Sequence, residues 1–163
     1  MASASPSSTP VGFTLRCAGT QLALKLGVIQ GAGGDNVATF RLVNTSDIAC
    51  HLQGFPGFTL RGSQSADVVA VRNSAERVGY IPTPYKPVPI VLRPGGYAEF
   101  AVEGSDYNAV ANQLWPNSTS AVVYAPDTTL ALTVAVKIPM PQHPSQITVS
   151  PVEPAGCIEK MSC

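Results

Sequence analysis

The sequence predicts an all-β fold, an antiparallel two-sheet sandwich of seven to nine short strands. Three observations carry this. Runs of alternating apolar and polar residues recur along the chain, which is the period of a half-buried strand. Turn signals separate them at intervals of about ten residues, as in sandwiches and barrels, and are supplied by 15 prolines and 14 glycines. Hydrophobic residues make up 45% and charged residues only 12% of 163, a length that suits one core.

In chain order, Gln21 to Gln30 places Leu22, Leu24, Leu26 and Val28 on one side with Ala23 and Lys25 on the other. Gly31 to Asn36 supplies a turn, and Val37 to Asn44 resumes with Phe40 and Leu42 on one face, so the two runs pair antiparallel. Asn44 to Asp47 favours a turn through side chains that bond their own backbone. Cys50 to Gly54 and Phe58 to Leu60 flank Gly54-Phe55-Pro56-Gly57, where proline holds Phe55 extended and glycine tolerates positive φ. The segment Asn44 to Gly57 therefore reads as a strand that kinks or changes sheet.

Val68 to Val71 is a short β run and Asn73 to Tyr80 a loop. Pro82 to Pro89 contains four prolines, which lack the donor a central ladder needs, so it runs extended over the surface. Ile90 to Leu92 and Tyr97 to Glu103 flank Arg93-Pro94-Gly95-Gly96 and read as a hairpin, with Ala98, Phe100 and Val102 inward and Glu99 and Glu103 outward. Over Ser105 to Trp115 the spacing of Tyr107, Val110, Ala111 and Leu114 predicts a short helix or helical turn, capped by Ser105 and stopped by Pro116. Strands at Ala121 to Tyr124, Leu130 to Val136 and, after a proline-rich loop from Pro139 to Pro144, Ile147 to Ser150 complete the chain.

Equal numbers of acidic and basic residues, with no basic run, remove the field that draws proteins onto nucleic acid or anionic lipid. No run approaches the length of about 18 apolar residues needed to cross a bilayer. Four cysteines, none in a Cys-x-x-Cys pair, suit two disulfides and export, with three connectivities open. Residues 1–11 are small and polar, unlike a signal peptide. They read as a disordered linker left after a removed export signal, with 12–163 as a single domain.

Candidate chemistry is sparse. His51 beside Cys50 reads as a strand histidine before it reads as a redox or metal partner. His143 and Met140 with Met161 would offer soft ligands to copper, yet they lack paired spacing. Glu99, Glu103 and Asp106 would serve as paired carboxylates, but outward alternation accounts for the two glutamates. Asn44-Thr45-Ser46 and Asn117-Ser118-Thr119 match the glycosylation acceptor pattern by chance. The stronger candidates for partner contact are loop residues that stack or fill a pocket: Phe55, Tyr80, Tyr85, Pro87 and Trp115, with Tyr107 beside them. No catalytic, cofactor-binding or metal residue is assigned.

Cys17 with Leu22 and Leu24, Gly31 to Gly34, Leu42 to Ser46, Cys50-x-Leu52-x-Gly54-Phe55-Pro56-Gly57, Leu92-x-Pro94-Gly95-Gly96 and Val102 to Asp106 together resemble a family. It is the domain-of-unknown-function family of secreted proteins and lipoproteins from mycobacteria, streptomycetes and their relatives. The resemblance covers nearly the whole chain after residue 12. It implies an immunoglobulin-like sandwich, an extracytoplasmic location, no established activity and a disulfide between Cys17 and Cys50. The chain departs from the family in its second pair, for no cysteine lies between Cys50 and Cys157; the pair expected beside the first is Cys157 with Cys163, in a tail loop. The expected function is a non-enzymatic secreted or cell-envelope module, without cofactor, that binds a protein, glycan or lipid partner through loop surfaces. Two alternatives are a copper-handling or redox envelope protein and a hydrolase of unfamiliar type, the latter built on His51 or His143.

Overall fold

Two sheets face each other across three phenylalanines, Phe40, Phe58 and Phe100, each no more than 1% exposed. The computed structural model describes residues 14–63, 65–73, 77–78, 81–82, 87–142 and 147–160. Its strands are β1 (Leu22–Ala32), β2 (Asp35–Asn44), β3 (Cys50–Leu52), β4 (Gly57–Arg61), β5 (Val68–Val69), β6 (Val71–Arg72), β7 (Arg77–Val78) and β8 (Ile81–Pro82). They continue as β9 (Ile90–Leu92), β10 (Tyr97–Ser105), β11 (Tyr107–Asn108), β12 (Gln113–Leu114), β13 (Ser120–Tyr124), β14 (Leu132–Ala135), β15 (Ile147–Val149) and β16 (Glu153–Pro154). Nine of these have three or more residues, so the expected number of principal strands stands; the remainder are two-residue ladders that turn chemistry does not signal.

One sheet runs β1-β2-β10-β15-β6, with β16 also on β10, and the other runs β14-β13-β4-β5. The pairs are antiparallel except β15 with β6. Alternation decides which side chains meet between the sheets, because successive residues of a strand face opposite sides. Phe40 lies opposite Phe100 and Leu42 opposite Ala98, while Phe58 lies opposite Val123 and Leu60 opposite Ala121 in the facing sheet. The Phe40 and Phe100 rings stack with centroids 5.3 Å apart, and Phe58 closes on Phe40 at 5.1 Å. The alternation of β1 holds only to Leu26: the register against β2 shifts between Leu26 and Ile29, so Val28 is exposed and not inward as its spacing predicts.

The segment from Asn44 to Gly57 does change sheet. β3 pairs with β9, whereas β4 joins β13. Asn44 is fully buried and ties the corner: its Nδ2 donates to the carbonyls of Ile48 at 2.8 Å and Leu92 at 3.0 Å, and its Oδ1 accepts from the Ser46 amide at 3.0 Å. Its backbone exchanges bonds with Gly95 and Gly96, both 2.8 Å. A glycosylation acceptor cannot sit there. Since a buried carbonyl left without its donor costs about 1 to 3 kcal/mol, Asn44→Ala is expected to destabilise the protein by about that amount or more, measured by urea unfolding.

The same contacts correct the hairpin expected at Arg93-Pro94-Gly95-Gly96. β9 and β10 are not partners; β9 lies on β3 and β10 on β2, and the turn carries the chain from one ladder to the other. Val68 to Val71 also divides, with β5 on β4 and β6 on β15. A short apolar run reveals strand character but not which edge it reaches.

No helix forms over Ser105 to Trp115. β11 and β12 form a hairpin, Tyr107 opposite Leu114. The Asn108 side chain takes the Val110 and Ala111 amides, both at 3.1 Å, and Asn112 adopts φ 52°. Side-chain bonding of this kind competes with helix, and Val110 and Leu114 are 94% and 69% exposed, so the helical spacing marks no buried face.

Glu99 is likewise not in solvent. The outer side of β2 and β10 is covered by residues 155–160, and Ile158 packs with Val37 and Ala101 in a small second core. Beneath it the fully buried Glu99 carboxylate accepts the amides of Gly156, Ile158 and Glu159 at 2.9, 3.0 and 3.2 Å. The strand pattern is the expected one; the far face is simply not free.

Candidate functional site

Four loops meet at one end of the sandwich. Gln53 to Pro56 follows β3, Arg72 ends β6, Pro87 precedes β9, and Pro126 and Asp127 follow β13. Gly54 has φ 107°, a conformation L side chains rarely adopt, and its carbonyl accepts the Val152 amide at 2.9 Å. That bend, with Pro56 buried behind it, leaves Phe55 half-exposed. The Arg72 guanidinium lies over the Phe55 ring, 5.8 Å from its centroid. Gln53 Nε2 donates to the Pro87 carbonyl at 3.3 Å. Asp127 sits at φ 59° in the turn closed by Thr128 N to Ala125 O, 3.0 Å, and pairs with Arg16.

These residues line a cleft of about 350 Å³. It offers an aromatic face, two proline surfaces and opposite charges, with Asp127 already engaged by Arg16. The described ion pairs, Arg16 with Asp127, Arg41 with Glu159 and Arg61 with Asp67, leave Arg72 out. A few polar groups converging on an apolar wall is the usual form of a binding site.

Of the residues proposed from sequence, Phe55 and Pro87 are brought together here. Tyr80 and Tyr85 lie outside the described residues. Trp115 is 8% exposed, so its ring is buried and does not present a contact face. Tyr107 is on the separate β11–β12 hairpin. Sequence reasoning missed Arg72 and Asp127. Arg72 closes an ordinary β run, while Pro126-Asp127 is a turn signal that is visible but silent about what it faces.

The other chemistries do not assemble. His51 Nδ1 is 3.1 Å from Thr14 Oγ1, and its backbone bonds Cys17 and Leu15. Met140 is fully buried, with Ser65 Oγ 3.9 Å from its sulfur, so it is closed to an ion; His143 and Met161 lie outside the described residues. Among the described residues no group of three or more His, Cys, Asp or Glu side chains could hold a metal. The three carboxylates stay apart. Glu99 is under the C-terminal segment, Glu103 lines a shallow pocket with Asp35, Ser105 and Thr148, and Asp106 accepts from Asn36 at 2.6 Å.

A second, larger groove of about 680 Å³ opens between the edges of β1 and β14, with Leu26, Ile29, Ala135 and Val136 along it. Asn117, Ser118, Thr119 and Lys137 also line it, but the hydroxyl of Ser118 is taken up by Val136 O and Ile138 N and that of Thr119 by Arg61 O.

A disulfide joins Cys17 and Cys50, with Cα atoms 4.9 Å apart. Cys157 is also disulfide-bonded; Cys163 lies outside the described residues. No helix among the described residues is long and apolar enough to cross a membrane.

No curated protein matches the chain. Among solved structures it is similar to the selenomethionine-labelled β-glucosidase from Kluyveromyces marxianus, at 11% identity and a TM-score of 0.32, over 73% of this chain and only 14% of that one. A likeness that distant says nothing about activity. The family comparison reaches further: residues 17–153, from the disulfide at Cys17 through the last strands, match Domain of unknown function (DUF4232), and the chain belongs to this family.

Proposed function

We propose that this protein is a non-enzymatic secreted or cell-envelope module that binds an extended segment of a partner protein in the Phe55, Arg72 and Pro87 cleft. The observation that carries the reading is Arg72, stacked on Phe55 and outside the described ion pairs. Prolines and an aromatic ring form the kind of wall against which extended chains lie. A guanidinium supplies a directional anchor for a carboxylate, which favours a partner segment with an acidic residue. Export is supported by the Cys17–Cys50 disulfide, because reducing compartments do not maintain such bonds. An actinobacterial source and a lipid-anchored or freely secreted precursor rest on the sequence resemblance.

The test is capture from an actinobacterial envelope extract on immobilised wild type, Arg72→Glu and Phe55→Ala, with near-UV circular dichroism to verify folding. Proteins retained by wild type should fall by about tenfold or more on Arg72→Glu, as for loss of a central charged contact. The same set of proteins on all three columns would reject the cleft.

A further inference from the structure

The strongest unabsorbed feature is the outer face of β2 and β10. Across it runs a cross-strand row, Lys25 on β1, Arg41 on β2, Glu99 on β10 and Glu153 on β16, each opposite the next. Residues opposite each other in antiparallel strands point to the same face, so Glu99 and Glu153 share one side of the sheet. Residues 155–160 close over it. Glu159 pairs with Arg41 through both carboxylate oxygens and accepts the Thr39 hydroxyl at 3.1 Å. Arg41 also lies 4.7 Å from the centre of the Tyr97 ring. A β-carbon at Gly27 would collide with Glu159 Oε1 and Thr39 Oγ1, so the bulge in β1 makes room for this closure.

Glu153 is the exception in a satisfied network. It is 3% exposed, and its Oε1 has no hydrogen-bond partner among the described residues. A buried carboxylate with an oxygen left unsatisfied is costlier than a buried carboxylic acid. The charged groups on the elements packed here are Lys25 from β1, Asp35 and Arg41 from β2, Glu99 and Glu103 from β10, and Glu159 and Lys160 from the C-terminal segment. Arg41 is committed to Glu159, and the carboxyl oxygens of Glu99 directly opposite are taken up by the amides of Gly156, Ile158 and Glu159.

We propose that residues 154–160 form a pH-gated latch, closed over the outer sheet face while Glu153 is protonated and released when it ionises. Release frees the Ile158 slot between Val37 and Ala101 and strips Glu99 of its three amide donors. Burial raises the Glu153 carboxyl from 4.5 to about 7, which sets the window. Below 4.5 the open and closed latch both hold the proton. From there to about 7 the open latch loses it first, so each pH unit favours opening by up to about tenfold; above 7 both have lost it and the gain stops. Glu159 has the opposite sign. Its carboxyl is held below the usual range by Arg41, so its contribution is present above that range and is lost only in acid, outside this window.

Amide hydrogen exchange on the full chain tests the latch, reading protection of Gly156, Ile158 and Glu159 after correction for intrinsic rates. From about pH 5 to about pH 7 their protection should fall by roughly tenfold or more relative to amides between β2 and β10, then level off. In Glu153→Gln, which stays neutral, it should remain flat. A flat wild-type profile, or an equal fall in Glu153→Gln, overturns the proposal. Should that variant not fold, the carbon-13 shift of the Glu153 carboxyl in wild type decides: its midpoint must lie at the upper end of the protection change, and a midpoint in the ordinary glutamate range overturns the latch.

Discussion

Replacing Cys17 and Cys50 together by serine is expected to lower the free energy of unfolding by about 3 to 4 kcal/mol, the loop-closure entropy at a sequence separation of 33. The bridge also holds the pre-β1 segment against β3, where Cys17 N donates to His51 O at 3.0 Å and His51 N to Leu15 O at 2.9 Å. Both sulfurs are in the core, with Cys17 3% and Cys50 1% exposed, so two buried hydroxyls add to the loss. Guanidinium unfolding of the double variant beside wild type, without reductant, measures this independently of Cys157. A loss under about 1 kcal/mol would mean that the two segments are held by their neighbours and not by the bond.

Phe100→Ala is expected to cost about 3 to 5 kcal/mol, the range for emptying an aromatic site in a close-packed interior. Phe100 touches both other rings of the inter-sheet cluster, stacked on Phe40 and edge-on to Phe58 at 6.3 Å, so neither sheet can collapse into the space without moving the other. Phe55→Ala provides the contrast. Its ring is half-exposed and meets Arg72, and its loss should cost about 1 kcal/mol or less in stability while acting on binding. If the two variants melt together, the assignment of one phenylalanine to the core and the other to the cleft fails.

Legibility in the sequence followed the range of the forces concerned. Leu22 and Leu24, Phe40 and Leu42, and Ala98, Phe100 and Val102 are placed inward by alternation alone, since a strand's period is set by its own backbone. The turn at Gly54 to Gly57 and the change of sheet across it are legible for the same reason. The hairpin expected at Pro94 to Gly96 and the helix expected over Ser105 to Trp115 failed differently. The first had the right strands and the wrong partners; in the second, the side chain of Asn108 and the positive φ of Asn112 outweighed a weak apolar spacing. At the site, Phe55 and Pro87 were recognisable as exposed loop residues, but Arg72 had no mark until β6 was seen to end beside Phe55.

The sequence by itself determined an all-β chain, the inward residues of its main strands, the corner at Asn44 to Gly57 and, through resemblance, the Cys17–Cys50 bond. The tertiary structure alone decided which edges pair, that Arg72 and Asp127 join Phe55 and Pro87, that Glu99 is buried under residues 155–160, and that Glu153 is buried opposite it. The reason is physical: a strand's periodicity reports that it has two faces, while what covers each face is fixed by segments tens of residues away, whose packing no local pattern encodes.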